Sequence, residues 1–153
     1  MKQNLPLLIQ TRRFTIPDEL IPKLRNLQEQ SRQYYKDKIA ESEDAVVMTL
    51  GMGAAMYLAL DGRVIVWDDE LEEKTEPREA KDIKEMFTAI VVGAKQRKAP
   101  ELLSLLPKRP EEALTCLECN NSGWRQFGID VNGEPVKIIC WDCGGIGWII
   151  NKL

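Results

Sequence analysis

The sequence feature that most constrains this chain is a nine-residue block that occurs twice and contains all four of its cysteines. The first copy, CLECNNSGW, spans residues 116–124, and the second, CWDCGGIGW, spans residues 140–148. A shift of 24 residues superposes both cysteines, one glycine and the tryptophan, and it places Asp142 on Glu118. Any fold of this chain must therefore accommodate two matching cysteine loops.

The cysteine spacing predicts one metal site. Two C-x2-C pairs that are separated by 20 residues have the spacing of a four-thiolate zinc site. Two residues between cysteines let one tight turn direct both sulfurs at a tetrahedral zinc ion, about 2.3 Å from each. The chain starts without a long apolar stretch, so we expect no signal peptide and a reducing compartment, which favours zinc over disulfides. We predict one Zn²⁺ bound by Cys116, Cys119, Cys140 and Cys143.

We expect this zinc to be structural. Four thiolates fill the tetrahedron and leave no open position for water or substrate, which a catalytic zinc requires. The chain contains no histidine, so a catalytic zinc with histidine ligands is excluded. A disulfide or a redox-active dithiol pair is the alternative interpretation of the same cysteines.

The residues that follow each cysteine pair support the same site. A backbone that folds back to direct its amides at thiolates needs residues that tolerate positive φ. Gly145 and Gly147 supply them in the second block, and Asn121 and Gly123 supply them in the first, because asparagine adopts positive φ more readily than other residues with side chains.

These residues carry a resemblance to the C-x2-C-x-G-x-G repeat of the DnaJ-type cysteine-rich zinc domain. The second block matches the repeat in full with Cys140, Cys143, Gly145 and Gly147, whereas the first has Asn121 at a glycine position. That family has four repeats and two zinc sites, so two repeats imply one site. The resemblance covers about a quarter of the chain and implies contact with other proteins, including unfolded clients. The His-Pro-Asp signature of a J-domain is absent.

The spacer between the blocks predicts a β-hairpin. Residues 127–131 and 134–140 flank Asn132-Gly133, which is typical of a two-residue type I′ turn. Pro135 belongs on a sheet edge because it cannot donate to a central ladder. This pairing places Arg125 opposite Cys140 and brings the two cysteine blocks together.

The fold class that we predict is α+β: a small domain of helices and antiparallel sheet at residues 1–110, then a zinc-stabilised β-hairpin module at residues 111–153, which we call the C-terminal module. The apolar content of 44% suits a chain that buries a core. Residues 55–60 and 63–67 flank Asp61-Gly62, a second type I′ signal, which places Leu58 opposite Ile65. Both faces of this hairpin are mainly apolar, so we expect it to be central in a sheet.

Other elements follow from periodicity and from turn residues. We expect a short strand at residues 7–9, a helix that begins near Thr15 or at Pro22, and a strand at residues 45–50. A second helix begins near Thr75 and Pro77, and a short helix lies between two prolines at residues 100–107. The second helix has an apolar face of six residues: Ile83, Met86, Phe87, Ile90, Val91 and Ala94.

The first domain resembles the SUKH superfamily. The resemblance rests on IPDEL at residues 16–20, a glycine-rich break, YLALDGRVIVWD at residues 57–68 and the amphipathic helix that follows. Proteins of that superfamily are α+β domains, and many are bacterial immunity proteins that bind and neutralise toxin nucleases. The resemblance therefore implies a toxin as the partner.

Two groups of residues are candidates for a partner surface. Residues 41–76 contain ten acidic and two basic residues, and an acidic surface attracts basic proteins. Within this stretch the candidates are Asp68, Asp69, Glu70, Glu72 and Glu73, and a solvated connection is the alternative interpretation of the same acidic run. Trp124 and Trp148 end the two cysteine blocks, and they either pack over the zinc loops or form an exposed recognition patch.

We therefore predict a cytoplasmic, non-enzymatic zinc protein that binds another protein, and the resemblance to immunity proteins implies a toxin as one candidate for that partner. A thiol or zinc redox protein, or a chaperone-like protein that holds unfolded clients, is the alternative. The net charge of −3 and the scarcity of cations in the C-terminal module make nucleic acid an unfavourable partner. No apolar run approaches the length of a membrane span.

Overall fold

A computed structural model describes residues 5–35, 44–49, 54–68 and 76–149, and it confirms the α+β class. The helices are α1 (Leu5–Thr11), α2 (Ile21–Tyr35) and α3 (Ile83–Gln96), with 3₁₀ segments at Asp18–Leu20 and Pro100–Leu105. The strands are β1 (Ala45–Thr49), β2 (Ala54–Ala59), β3 (Val64–Asp68), β4 (Arg78–Glu79), β5 (Leu114–Thr115), β6 (Trp124–Ile129), β7 (Pro135–Ile139) and β8 (Trp148–Ile149). Within these ranges no helix has the length and hydropathy of a membrane span.

The main sheet is antiparallel with the strand order β1-β2-β3-β4. Alternate residues of β2 point to opposite faces, as the period of a strand requires. Leu58 packs into the large core cluster that includes α2 and α3, whereas Tyr57 packs with Ala45 and Ile65 in a second cluster on the other face. The side chains of Tyr57 and Leu58 are both fully buried, which confirms the prediction that this hairpin is central in the sheet.

The predicted register of the β2–β3 hairpin is wrong by one residue. Ala59 N–H donates to Arg63 O at 2.9 Å, so the loop has three residues, and Leu58 lies opposite Val64. The N-terminal segment accounts for the difference. Phe14 N–H donates to Gly62 O at 2.8 Å, and a Cβ on Gly62, whose φ is +98°, would lie 1.9 Å from Phe14 O. Tertiary contact with Phe14 therefore shapes this turn.

Two predicted elements near the ends of the first domain are corrected. Residues 7–9 belong to helix α1 and do not form a strand, because Leu5 and Leu8 are spaced to bury one helical face. The second helix begins at Ile83, since the carboxylate of Asp82 accepts from Glu85 N–H at 2.9 Å and caps it. Of the alternatives for the first long helix, the structure has a 3₁₀ turn followed by α2, with Pro22 in its first turn.

Helix α3 buries the apolar face that its sequence predicts. Its buried residues include all six of the predicted set: Ile83, Met86, Phe87, Ile90, Val91 and Ala94. These side chains pack between the sheet and the C-terminal module, because Ala113 and Trp148 belong to the same core cluster as Phe87 and Ile90. The boundary at residue 110 stays a prediction about folding units, but the two parts share one apolar core.

Candidate metal centre

The four cysteine sulfurs lie together in one buried cluster. All four lie within 4.8 Å of one another, with Cys116 Sγ 3.7 Å from Cys140 Sγ and Cys119 Sγ 3.8 Å from Cys143 Sγ. An ion bound tetrahedrally by sulfurs about 2.3 Å away separates its ligands by about 3.8 Å, the edge of that tetrahedron. The exposed fraction of each cysteine is 6% or less. The four residues therefore fit one metal ion, as the spacing predicts.

Each cysteine block forms the same local structure, which we call knuckle 1 (residues 116–124) and knuckle 2 (residues 140–148). In knuckle 1 the backbone N–H of Gly123 donates to Cys119 Sγ at 3.2 Å. In knuckle 2 the backbone N–H of Gly147 donates to Cys143 Sγ at 3.3 Å. Amide donors of this kind stabilise negative charge on the sulfurs.

The two knuckles are joined by strand pairing, because the strand that leaves each knuckle pairs with the strand that enters the other. Strand β6 leaves knuckle 1 and pairs with β7, which enters knuckle 2, and β8 leaves knuckle 2 and pairs with β5, which enters knuckle 1. The pairing continues into the cysteines, since Cys140 N–H donates to Gly123 O at 3.0 Å and Cys116 N–H donates to Gly147 O at 2.9 Å. The duplicated sequence therefore builds a centre with an approximate two-fold relation.

Close approach of the knuckles explains the glycine that both blocks retain. A Cβ on Gly123 would lie 2.2 Å from the backbone oxygen of Gly145, and one on Gly147 would lie 2.7 Å from that of Asn121. All four of these residues have positive φ. The preceding residues Asn120 and Gly144 also have positive φ, at +53° and +73°, and they are not among the residues predicted to support the site.

The hairpin between the knuckles differs from its prediction at the turn. Asp130 N–H donates to Glu134 O at 2.9 Å, so the loop has three residues, and a bulge interrupts the pairing between Gln126 and Ile129. Arg125 consequently lies opposite Ile138 and not opposite Cys140. The side chain of Asp130 explains the longer loop, because it accepts from the N–H groups of Asn132 and Glu134 and fixes an Asx-type turn.

Knuckle 2 and the end of knuckle 1 rest on one stripe of helix α3. A Cβ on Gly144 would lie 2.8 Å from Lys84 O, and the rings of Phe87 and Trp148 are 6.2 Å apart at 55°. Lys95 Nζ lies 4.3 Å from the centre of the Trp124 ring, within range of a cation–π contact. Lys84, Phe87, Val91 and Lys95 are three or four residues apart, so they share one face of the helix.

Burial and nearby hydrogen bonds shift the pKa values of three of the thiols in different directions. Burial raises the pKa of Cys140 to about 12, and it raises the pKa of Cys143. Burial acts in the same direction on Cys119, but the Gly123 amide and the neighbouring thiols outweigh it and lower the pKa of Cys119. Metal binding must replace the remaining thiol protons, because the thiolate is the ligand.

The residues predicted for a partner surface differ in their burial, and some of them lie outside the described residues. Trp148 is only 7% exposed and lies in the core against Phe87, so of the two alternatives for this residue the structure has the packed one and not the exposed patch. Trp124 is half-buried beside Lys95. Asp69, Glu70, Glu72 and Glu73 lie outside the described residues, and only the backbone of Asp68 is described, at the end of β3.

Other apolar residues of the C-terminal module, which are not among those predicted for a partner surface, are exposed instead. On the hairpin these are Phe127 at 72%, Ile129 at 67% and Val131 at 101% exposed. Leu117 at 85% and Trp141 at 57% occupy equivalent positions in the knuckles. The repeat contains a signal for this last pair, because each follows the first cysteine of its block and precedes a carboxylate.

Comparison with known proteins gives no matching family model, no matching curated protein and no matching solved structure.

Proposed function

We propose that this chain is a zinc protein whose metal is structural and whose role is to bind another protein without catalysing a reaction. The observation that carries the proposal is the buried set of four sulfurs with two separations of 3.7 and 3.8 Å. Four thiolates suit zinc, and they complete its tetrahedral shell. When bound, the ion supplies a rigid cross-link between the knuckles and offers no open coordination position.

The surroundings of the sulfurs support a structural role for the ion. The cysteines make a small cluster of their own, with Ile146 and Ile149 packed against it. The hairpin that joins the knuckles is almost wholly exposed, and a lone two-stranded hairpin is marginally stable in water. Without the metal, the C-terminal module therefore has little apolar burial of its own to hold it together.

Metal analysis of the purified chain tests the zinc part of this proposal. We expect one zinc per chain by plasma mass spectrometry, and we expect Cys143→Ser to lose it. Leu117→Ser in knuckle 1 is the matched control and should keep the metal, because its side chain is 85% exposed. A chain that folds with no zinc, or with another metal in stoichiometric amount, would contradict the assignment.

Thiol titration separates this role from the redox alternative. Metal-bound, buried thiolates react slowly, so we expect the four cysteines to react with an aromatic disulfide reagent only after a chelator is added. If all four react quickly in the zinc-loaded protein, a redox function replaces the structural one.

Exposed apolar side chains on the hairpin support the protein-binding part of the proposal. Phe127, Ile129 and Val131 protrude on a segment that carries no enclosed core. The edges of this hairpin are poor templates for a further strand, because Pro135 opens β7 and a bulge interrupts β6. Side-chain contact with a partner, rather than strand pairing, is the use that these exposed residues favour.

Affinity capture from the native host with matched variants tests this part. A partner that is retained by the wild-type chain should be lost with Phe127→Ser combined with Ile129→Ser. It should be retained with Leu103→Ser, which changes a residue that is 38% exposed on the 3₁₀ segment Pro100–Leu105. Equal recovery with both variants would remove the hairpin from the binding surface.

A narrower proposal is that the partner is a basic toxin, which the acidic stretch neutralises. It is supported by the charge balance of residues 41–76 and by the resemblance of the first domain to immunity proteins. Conversion of Asp68, Asp69, Glu70, Glu72 and Glu73 to their amides should weaken capture most at low salt, where charge attraction is least screened. Unchanged capture at every salt concentration would discard this version.

A further inference from the structure

The C-terminal module contains a cleft beside the metal centre. The cleft has a volume of about 710 Å³. Leu114, Leu117 and Ile149 supply its apolar wall, and Glu118 and Asp142 supply carboxylates. Cys116 lines the cleft as well, so the space lies directly against the metal site.

The charge around this cleft is negative when the metal is bound. Four thiolates around one divalent cation leave two negative charges on the centre. Glu118 and Asp142 add two more at the cleft. The facing cations are Lys84 in the wall and Arg125, whose guanidinium nitrogens lie 3.8 Å from a Glu118 oxygen and 4.0 Å from an Asp142 oxygen. With the metal bound, negative charge therefore exceeds positive charge among the described residues around the cleft.

The exposed wall of the cleft favours a peptide segment over a small molecule as its ligand. Leu117 is 85% and Leu114 is 49% exposed, whereas sites for small molecules usually enclose most of the ligand surface. A peptide segment that lies across the cleft would cover both leucines and place one basic side chain between the carboxylates. A phosphate or nucleic acid would meet thiolates and carboxylates and be repelled.

We propose that this cleft binds an extended segment of a partner protein that carries an aliphatic residue next to a lysine or arginine. The proposal rests on the proposed protein-binding function, and it names the site and the partner chemistry. The aliphatic residue packs on Leu114, Leu117 and Ile149. The neighbouring cation competes with Arg125 for the carboxylates and shares the field of the metal centre.

A displayed library of random heptapeptides, selected on the zinc-loaded full chain, tests this proposal. We expect peptides with Lys or Arg beside Leu, Ile or Val to be enriched. A synthetic peptide with that consensus should bind at least tenfold more weakly to a chain with Glu118→Gln, Asp142→Asn and Leu117→Ser. The matched control, Glu111→Gln and Glu112→Gln with Leu103→Ser, removes two exposed carboxylates and one exposed aliphatic group outside the cleft wall, and it should bind like the wild type.

The possible outcomes separate this inference from the proposed function. Zinc content is measured on every variant, so loss of the metal would show as such. Enrichment of acidic or charge-free peptides, or equal binding to the cleft variant and the control, would overturn the cleft assignment. If the captured cellular partner still depends on Phe127 and Ile129 in that case, the protein-binding function stands and the cleft alone is rejected.

Discussion

The two knuckles have the same backbone and very different surroundings. Knuckle 1 has Asn120 and Asn121 where knuckle 2 has Gly144 and Gly145, and all four residues have positive φ. The asparagines are exposed, whereas Gly144 lies against the backbone of α3. A Cβ on Gly144 would lie only 2.8 Å from Lys84 O. Positive φ alone permits asparagine. Glycine is needed in knuckle 2 because the helix leaves no room for a side chain.

The tryptophans that end the knuckles show the same difference. Trp124 is half-buried under Lys95, whereas Trp148 is buried in the core that the main sheet shares with α3. Knuckle 2 thus packs the C-terminal module against α3, whereas knuckle 1 forms the outer half of the metal site. The two similar sequences give similar loops, but α3 lies beneath knuckle 2 and excludes a side chain at Gly144.

The largest effect should come from the ligands, for which the two knuckles are equivalent. Cys119→Ser and Cys143→Ser should both abolish zinc binding, which contributes roughly 10 kcal/mol in small zinc domains. Amide exchange by mass spectrometry should show loss of protection over residues 113–149 in both variants. A variant of knuckle 1 that keeps both metal and protection would mean that the two knuckles do not share one ion.

The next largest effect should distinguish the tryptophans. Trp148→Ala removes a buried ring that contacts Phe87, and we expect a loss of about 3–5 kcal/mol in the free energy of unfolding. Trp124→Ala removes a half-buried ring, and we expect about 1 kcal/mol. Urea denaturation of the two zinc-loaded variants measures both values. Equal losses would contradict the asymmetric docking of the module.

Exchange of equivalent residues between the knuckles separates the cost of a steric clash from the cost of a positive φ. Gly144→Asn keeps a residue that tolerates positive φ, so its cost comes from the contact with Lys84 O, and we expect about 2–3 kcal/mol. Asn120→Gly is the reciprocal change at an exposed site and should alter stability by less than about 1 kcal/mol. Similar costs for the two substitutions would show that φ, and not the helix, selects glycine in knuckle 2.

The smallest effect concerns the cation–π contact between Lys95 of α3 and Trp124 of knuckle 1. Lys95→Ala should cost about 0.5–1 kcal/mol, the range of an exposed cation–π contact. Lys95→Arg should retain most of the stability because arginine also stacks on tryptophan. Thermal unfolding at two salt concentrations measures the difference. A Lys95→Ala variant as stable as the wild type would show that the cation–π contact with Trp124 does not stabilise the attachment of the C-terminal module to α3.

The sequence predicted the parts of the fold that depend on local pattern. Residues such as Phe87 and Ile90 repeat at helical spacing, and the cysteine spacing alone placed four sulfurs around one point. The parts that it did not predict depend on contacts between distant residues. The packing of Phe14 on Gly62 shifts one hairpin, the carboxylate of Asp130 lengthens the other turn, and the contact of Gly144 with α3 has no signal in knuckle 2 itself.

X-ray absorption at the zinc edge would show whether one zinc ion joins the two knuckles through four sulfurs. We expect a first shell of four sulfurs at about 2.3 Å from the zinc and no nitrogen or oxygen ligand. A shell with nitrogen or oxygen, or with fewer than four sulfurs, would contradict it.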